Sequence, residues 1–144
     1  MRIAEQLPGS PPRRTNYLRR AVGIALGFGP VALLLTSCAF AVVERTGGVA
    51  GLGFALVGFL FGLLNAYLAF VRPRLYRRRR GSMEGYRFVS GLPLFGTLFV
   101  VLAGVSGFGE VPTAVVGLVA LALDTGGLPW FLILTWHDGG MWDA

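Results

Sequence analysis

The chain has no lysine, one cysteine and one histidine, and its thirteen basic residues, all arginine, face only seven Asp and Glu residues. A single cysteine excludes an internal disulfide framework. No second His, Cys or carboxylate stands at metal-ligand spacing from His137, so no metal site is predicted. The sequence also contains no nucleophile–base pair, P-loop or dinucleotide fingerprint. We therefore expect neither an enzyme nor a bound cofactor.

Long apolar runs occur in place of a charged surface. Only 14% of the residues are charged and 54% are hydrophobic, which is far from the balance of a water-soluble domain. A membrane-spanning helix needs about 20 apolar residues. Four stretches reach that length: 21–43, 49–71, 89–108 and 111–136. The predicted fold is an all-α integral membrane four-helix bundle made of two transmembrane hairpins.

The arginines lie in alternate connections of this predicted bundle. A basic tail, residues 1–20, precedes the first span and is expected to be disordered, and a basic loop, residues 72–88, joins the second and third spans. The positive-inside rule predicts that both ends, including the tail 137–144, are cytoplasmic. The absence of lysine beside 22 glycines is typical of GC-rich bacterial coding, so the inner membrane is the expected location. The basic loop carries Arg72, Arg74, Arg77, Arg78, Arg79, Arg80 and Arg87.

The net charge of +6 would indicate nucleic-acid binding in a soluble protein. Here the arginines flank membrane spans, so orientation and contact with anionic lipid headgroups explain them without nucleic acid. The same loop could dock an acidic cytoplasmic partner. We expect the lipid bilayer to be the partner of the basic loop.

Small residues recur along each span at alternating spacings of three and four. Such residues let helix backbones approach closely in lipid, and this period fits left-handed bundle packing. The sequence predicts internal packing, with contact to a second copy as the alternative. In the first span the series is Ala25, Gly29, Ala32, Thr36 and Ala39. The predicted packing residues of the second and fourth spans are Gly51, Ala55, Gly58, Gly62, Ala66, Gly117 and Ala120.

Asp124 lies at the centre of the fourth apolar stretch, which predicts a position near the bilayer midplane. An Asp there costs about 2.5–3.5 kcal/mol, so it is not expected to face lipid. One interpretation is a proton, cation or substrate site. The other is a helix break, because residues 124–129 read Asp-Thr-Gly-Gly-Leu-Pro, a turn-forming sequence. A break would leave the fourth segment either spanning or re-entrant.

Asn65 and Thr125 complete the set of predicted intramembrane polar candidates. Buried amides tie membrane helices together for about 0.6 kcal/mol on average, so Asn65 is interpreted first as a helix-packing residue. The sequence places Asn65 nearer the cytoplasmic end than Asp124, which leaves direct pairing open.

Cys38 ends the string Leu35-Thr36-Ser37-Cys38, which fits the bacterial lipobox, and a basic leader and an apolar run precede it. The apolar stretch continues beyond Cys38, however, through Val43. The alternatives are therefore a lipidated Cys38 and a small cysteine that packs inside a helix.

The strings 88–96 (Phe-Val-Ser-Gly-Leu-Pro-Leu-Phe-Gly) and 123–130 (Leu-Asp-Thr-Gly-Gly-Leu-Pro-Trp) resemble small uncharacterised bacterial multi-span membrane proteins. The resemblance covers the C-terminal half of the chain and implies no activity. The leading functional hypothesis is a non-enzymatic accessory, assembly or immunity-type protein that acts through intramembrane helix contacts. The alternatives are a small oligomeric transporter or channel that uses Asp124, and a lipoprotein acylated at Cys38.

Overall fold

In a computed structural model, the described residues are 15–44, 48–87, 89, 91–92 and 94–143, and they contain helices and turns without a strand. Most of the predicted disordered tail 1–20 lies outside this range. The helices are α1 (Tyr17–Glu44), α2 (Leu52–Ala66), α3 (Arg72–Arg80), α4 (Phe95–Ser106), α5 (Val111–Leu123), α6 (Leu128–Thr135) and α7 (Gly139–Trp142), with a π-helical turn at Tyr67–Val71 between α2 and α3.

Two uninterrupted helices are long and apolar enough to cross a membrane. They are α1, with 28 residues, and the continuous helix Leu52–Arg80, with 29 residues. Helices α5 and α6 together form a third such segment, bent by 42° at the break between them. Helix α4 has only 12 residues, because the predicted span 89–108 begins with non-helical backbone and becomes helical at Phe95.

Helix α3 occupies the first part of the predicted loop 72–88, although Pro73 lies in its first turn. Proline has no N–H and clashes with the carbonyl of the preceding turn. The π-helical turn absorbs this defect, since the Arg72 N–H bonds to the carbonyl of Tyr67, five residues back. The helix therefore continues to Arg80 and ends at Gly81, whose φ of 74° is left-handed.

Helix α2 is the centre of the bundle and packs against α4 and α5, while α1 packs against α5 and α6. Close approach depends on glycine: a Cβ at Gly51 would lie 2.8 Å from the Cα of Gly107, and one at Gly62 would lie 2.7 Å from the carbonyl oxygen of Ala120. Gly117 receives the buried side chain of Leu34 in the same way. The predicted packing residues Gly51, Ala55, Gly58, Gly62, Gly117 and Ala120 are buried and Ala66 is half-buried.

The small-residue series of α1 does not lie where the sequence predicts it. Its five members, Ala25, Gly29, Ala32, Thr36 and Ala39, are all exposed. The buried face of α1 consists instead of Gly27, Pro30, Leu34, Ser37 and Ala41. At about 100° of rotation per residue, the two sets occupy opposite sides of the helix. The series therefore points out of the bundle.

Candidate functional site

The break between α5 and α6 positions the candidate site. Helix α5 ends in a turn in which the Gly127 N–H donates to the carbonyl of Asp124 at 2.8 Å. Pro129 then lies in the first turn of α6, where its missing N–H is tolerated. The Trp130 indole N–H donates to the freed carbonyl of Ala122 at 3.1 Å. The break thus falls within the predicted turn sequence, and its backbone groups find partners.

Asp124 and Asn65 form a direct hydrogen bond inside the bundle. The Asn65 Nδ2 donates to Asp124 Oδ1 at 2.6 Å, and the two residues are 1% and 0% exposed. The structure therefore resolves the pairing that the sequence left open. An amide donor allows the carboxylate to remain buried, because a buried acceptor without a partner would be costly.

The same Asn65 side chain holds the non-helical backbone that leads into α4. The Leu92 N–H donates to Asn65 Oδ1 at 3.0 Å, and Asn65 Nδ2 also donates to the Leu92 carbonyl at 3.3 Å. Non-helical backbone at membrane depth is tolerated only where protein satisfies its polar groups. Asn65 therefore joins three segments: α2, the entry to α4, and the break after α5.

Three residues lie close to the second carboxylate oxygen. Thr97 Oγ1 lies 3.5 Å from Asp124 Oδ2, at the limit of a hydrogen bond. A Cβ added at either Gly96 or Gly127 would lie 2.5 Å from the same oxygen. Neither glycine position therefore tolerates a methyl group beside Oδ2. We refer to this group of hydrogen-bonded residues as the polar lock: Asp124, Asn65, Thr97 and the Leu92 backbone.

Along α2 and the π-helical turn, the polar lock lies nearer to Arg72 than to Gly51. Along the helix, Asn65 lies about 21 Å from Gly51 and about 10 Å from Arg72, at about 1.5 Å per residue. The lock therefore lies about one third of the way in from the arginine-rich end. Thr125, the third predicted polar candidate, is half-buried and makes a backbone hydrogen bond to Leu123 at 2.8 Å. It is not part of the lock.

A second carboxylate, Glu110, closes the other end of the bundle. It accepts hydrogen bonds from the backbone N–H groups of Ala50 at 2.8 Å and Gly51 at 3.1 Å, and from Thr113 Oγ1 at 2.7 Å. It is the residue before α5, so it lies between the N-terminal ends of α2 and α5, where negative charge is favoured. The hydrogen bond from Thr113 and those from the two amides lower the pKa of Glu110 against the opposing effect of desolvation.

Cys38 is half-buried beside the core cluster that contains Leu34 and Val100. Its neighbour Ser37 is fully buried and accepts a hydrogen bond from the Gly109 N–H at 2.9 Å. Helix α1 continues through this string to Glu44. The lipobox-like string thus lies within a continuous helix, with Ser37 buried and Cys38 half-buried.

Six of the seven predicted loop arginines lie on α3, and Arg87 lies on the segment that returns from it. Several contact aromatic rings: the guanidinium of Arg72 lies 5.7 Å from the ring centre of Tyr86, and that of Arg80 lies 5.7 Å from Tyr76. The Tyr76 hydroxyl donates to the Glu84 carbonyl at 3.0 Å. The basic segment consists of helix α3 and the residues after it, 81–87, which fold back against the helix. It is not an open loop.

The sequence patterns described above predict no place in the site for Thr97, Gly96, the Leu92 backbone or Glu110. One signal was available for Glu110: the sequence before α2 offers glycines and no side-chain cap, so the α2 N–H groups need an acceptor from elsewhere. Among the described residues, no cluster of three or more His, Cys, Asp or Glu side chains could hold a metal ion. The chain matches no protein family model, no curated protein and no solved structure.

Proposed function

We propose that this protein is a non-enzymatic, multi-pass protein of the bacterial inner membrane with an accessory, assembly or immunity-type role. In this proposal the outer face of α1 binds a transmembrane helix of another membrane protein. The two carboxylate clusters stabilise the bundle and take no part in chemistry. Function thus depends on a surface between helices and not on a cavity.

The proposed topology is a four-helix bundle with both ends cytoplasmic. The bend of 42° between α5 and α6 is too small to reverse the chain, so α6 continues toward the side where α1 begins. There Arg20 pairs with Asp143 at 2.6 Å, and Trp142 packs over Gly23. This favours a fourth spanning segment over a re-entrant one. The arginines at Arg19, Arg20 and α3 mark that side as cytoplasmic under the positive-inside rule.

The outward-facing small residues of α1 are the observation that carries the functional proposal. Lipid chains gain nothing from a stripe of small side chains, whereas a neighbouring helix can approach it closely and pack against it. Gly29, at the centre of the stripe, has no atom of the protein within 4 Å of an added Cβ. The other glycines of α1 do have such neighbours: Gly23 contacts Trp142 and Gly27 contacts Leu132.

An apolar groove beside this stripe is the second feature of the surface that a bound helix could pack against. It has a volume of about 670 Å³ and runs between α1 and the start of α4, past Gly29, Pro30 and Phe95. Its walls are almost entirely apolar side chains, with Thr97 as the polar exception. A helix that packs on the stripe would fill the groove with its larger side chains, as ridges fill grooves in helix packing.

The charge of the chain favours a foreign helix over a second copy. Each copy carries a net charge of +6. Two copies paired in parallel through α1 would bring two arginine-rich ends together, and like charges at a contact oppose association. A partner with acidic residues at its cytoplasmic end would pair with the same arginines. We therefore propose a partner helix followed by acidic residues.

Site-specific photo-crosslinking in native membranes tests the proposed function. A photo-reactive residue at Ala32, on the stripe, is expected to give one adduct whose partner is identified by mass spectrometry as an acidic-ended membrane protein. The matched position Val42, exposed on a different side of α1, is expected to give lipid adducts only. Gly29→Leu should abolish the adduct, and Leu35→Phe, which adds bulk beside the stripe, should leave it unchanged. A homodimer adduct, or equal adducts at Ala32 and Val42, would contradict the proposal.

The transport alternative is supported by one observation, a broken helix with a buried Asp at the break, which is the arrangement of many transporter sites. Against it, the carboxylate of Asp124 is enclosed by Asn65, Thr97 and two glycines. Acylation at Cys38 has weaker support, because cleavage before Cys38 would remove Leu34 and Ser37 from the core. Intact-mass spectrometry should accordingly show residues 1–37 still attached.

A further inference from the structure

Three of the arginines converge on a cleft between α3 and the chain that returns from it. Arg72 and Arg79 are seven residues apart, two turns, and so lie on one face of the helix. Arg87 approaches from the returning segment. The cleft has a volume of about 430 Å³, and its lining includes Arg72, Arg79, Arg87, Tyr67, Tyr76 and Tyr86.

Aromatic contacts hold this cleft open in a defined shape. The rings of Tyr76 and Tyr86 meet edge to face with centroids 5.0 Å apart, and the guanidinium of Arg72 lies over the ring of Tyr86. The hydrogen bond from the Tyr76 hydroxyl to the Glu84 carbonyl fixes the return of the chain. The guanidinium of Arg72 is therefore positioned before any ligand arrives, which reduces the entropic cost of binding.

The positive charge in the cleft has no partner of opposite sign within the described part of the chain. None of the α3 arginines has a carboxylate within ion-pair distance there, whereas Arg20 does have one in Asp143. Between residues 72 and 87 the sequence contains seven arginines and a single acid, Glu84. Guanidinium groups match the oxygens of phosphate in geometry and charge.

We propose that this cleft binds the phosphate of an anionic phospholipid headgroup. The depth of the cleft selects a lipid over a soluble phosphate. Arg72 lies about 31 Å along the helix from Gly51, which is about the thickness of the hydrocarbon core. Tyr67, Tyr76 and Tyr86 line the same cleft, and tyrosine is enriched in the headgroup region of membrane proteins. This inference rests on the membrane placement in the proposed function, but not on any partner protein.

The outer face of α3 provides a control with the same charge. Arg74, Arg77 and Arg78 border a groove whose lining comes from α3 and the residues next to it, Val71 and Gly81. Within the described residues, the lining of this groove includes no second segment that closes over these three guanidinium groups. They attract the anionic membrane surface as a diffuse charge, without a shaped site for a single headgroup.

Lipid binding to the purified full chain in neutral detergent tests the proposal. Short-chain phosphatidylglycerol and phosphatidylcholine are titrated, and the lipid-bound fraction is measured by native mass spectrometry. The triple variant Arg72→Gln, Arg79→Gln, Arg87→Gln is expected to lose at least about tenfold in affinity for phosphatidylglycerol. The outer-face triple variant Arg74→Gln, Arg77→Gln, Arg78→Gln removes the same charge and is expected to lose less than about threefold.

Two further arms separate the alternatives. Inorganic phosphate in large excess should not displace the lipid; displacement would show that the site recognises free phosphate and would overturn the lipid assignment. Equal losses in the two triple variants would show diffuse attraction and would also overturn it.

Arg87→Gln alone, on the returning segment, leaves α3 intact and should reproduce a several-fold loss. Unchanged helical circular dichroism and thermal midpoint verify that each variant is folded. Variants of the α1 stripe should bind the lipid normally, so failure of the partner proposal would not affect this result.

Discussion

At the scale of single residues, Asn65 makes hydrogen bonds that a helix would otherwise supply. Its amide oxygen accepts a hydrogen bond from the Leu92 N–H, and its amide nitrogen donates to the Leu92 carbonyl and to one oxygen of Asp124. In lipid no water can replace these partners. This one side chain therefore stabilises the non-helical backbone before α4 and the helix break after α5.

Asn65→Leu is expected to destabilise the bundle by about 2 kcal/mol or more, because leucine has a similar size and leaves buried polar groups without partners. The thermal midpoint of helical circular dichroism in detergent measures the effect. Leu64→Ala, at an exposed neighbouring position, is the control and should shift the midpoint little. If both variants had the same thermal midpoint as the wild-type protein, Asn65 would not hold the three segments together.

Replacing glycine by alanine is expected to have opposite effects on stability at two positions of the bundle. At Gly96 a Cβ would clash with Asp124 Oδ2, so Gly96→Ala should cost about 1–3 kcal/mol. Gly53, in helix α2, has nothing within 4 Å of an added Cβ, so Gly53→Ala should stabilise by about 0.5–1 kcal/mol. Thermal unfolding of both variants measures the difference. Equal shifts would contradict the close packing around Asp124.

The polar lock was only partly predictable, because sequence periodicity places a residue on a helix face but not at a depth. Asp124 and Asn65 stand out as polar residues in apolar runs. The predicted midplane position of Asp124 rests on its place at the centre of the stretch 111–136. Thr97 looks unremarkable among apolar residues, and the Leu92 backbone has no side-chain signal at all.

At the scale of elements, Glu110 joins α2 to α5. Its carboxylate accepts from the N–H groups that open α2 while it precedes α5. Both helix N-terminal ends carry partial positive charge, so one carboxylate stabilises two helices.

This contact predicts a pH-dependent stability. The pKa of Glu110 is lowered in the folded state, so its contribution is complete above the unfolded value of about 4.3 and is lost as the pH falls through the folded value. Glu110→Gln should melt at a lower temperature than the wild-type protein near pH 7, and the gap should narrow as the pH falls below the unfolded value. Differential scanning fluorimetry at several pH values measures the gap. A gap that is constant with pH would mean that the charge of Glu110 does not matter.

Elements were predicted well where the signal was local and less well where it depended on neighbours. The turn sequence after Asp124 predicted a break, and the structure has one there. Residues 72–88 were predicted to form a loop, yet one π-helical turn allows the helix to continue past Pro73 to Arg80. The small residues of α1 were assigned to the interior, because their period is the same whether the face meets the bundle or lipid. Only tertiary packing distinguishes these two faces.

At the scale of the whole molecule, the two ends of the described chain meet. Arg20 donates to both carboxylate oxygens of Asp143 and lies 5.0 Å from the ring centre of Trp136. Trp142 is buried and donates to the Thr135 carbonyl at 2.8 Å. The segment predicted as a cytoplasmic tail therefore packs onto the start of α1.

A topology measurement follows from this contact. Reporter fusions after residue 144 are expected to show a cytoplasmic C-terminus, and an insertion in the connection at residue 46 should report the periplasm. Reversing Arg20 and Asp143 together, Arg20→Asp with Asp143→Arg, retains the pair and should leave both assignments unchanged. A periplasmic signal from residue 144 would mean that α6 turns back, and the proposed four-span topology would be wrong.

Ion flux through proteoliposomes tests most directly whether the polar lock is structural and function depends on helix contacts. Wild-type protein and Asp124→Asn are reconstituted at equal density, and proton and cation flux are recorded under an imposed gradient against protein-free vesicles. We predict that both proteins give the flux of the protein-free vesicles. Flux through the wild-type protein that Asp124→Asn abolishes, with its thermal midpoint retained, would contradict the account and identify Asp124 as a transport site.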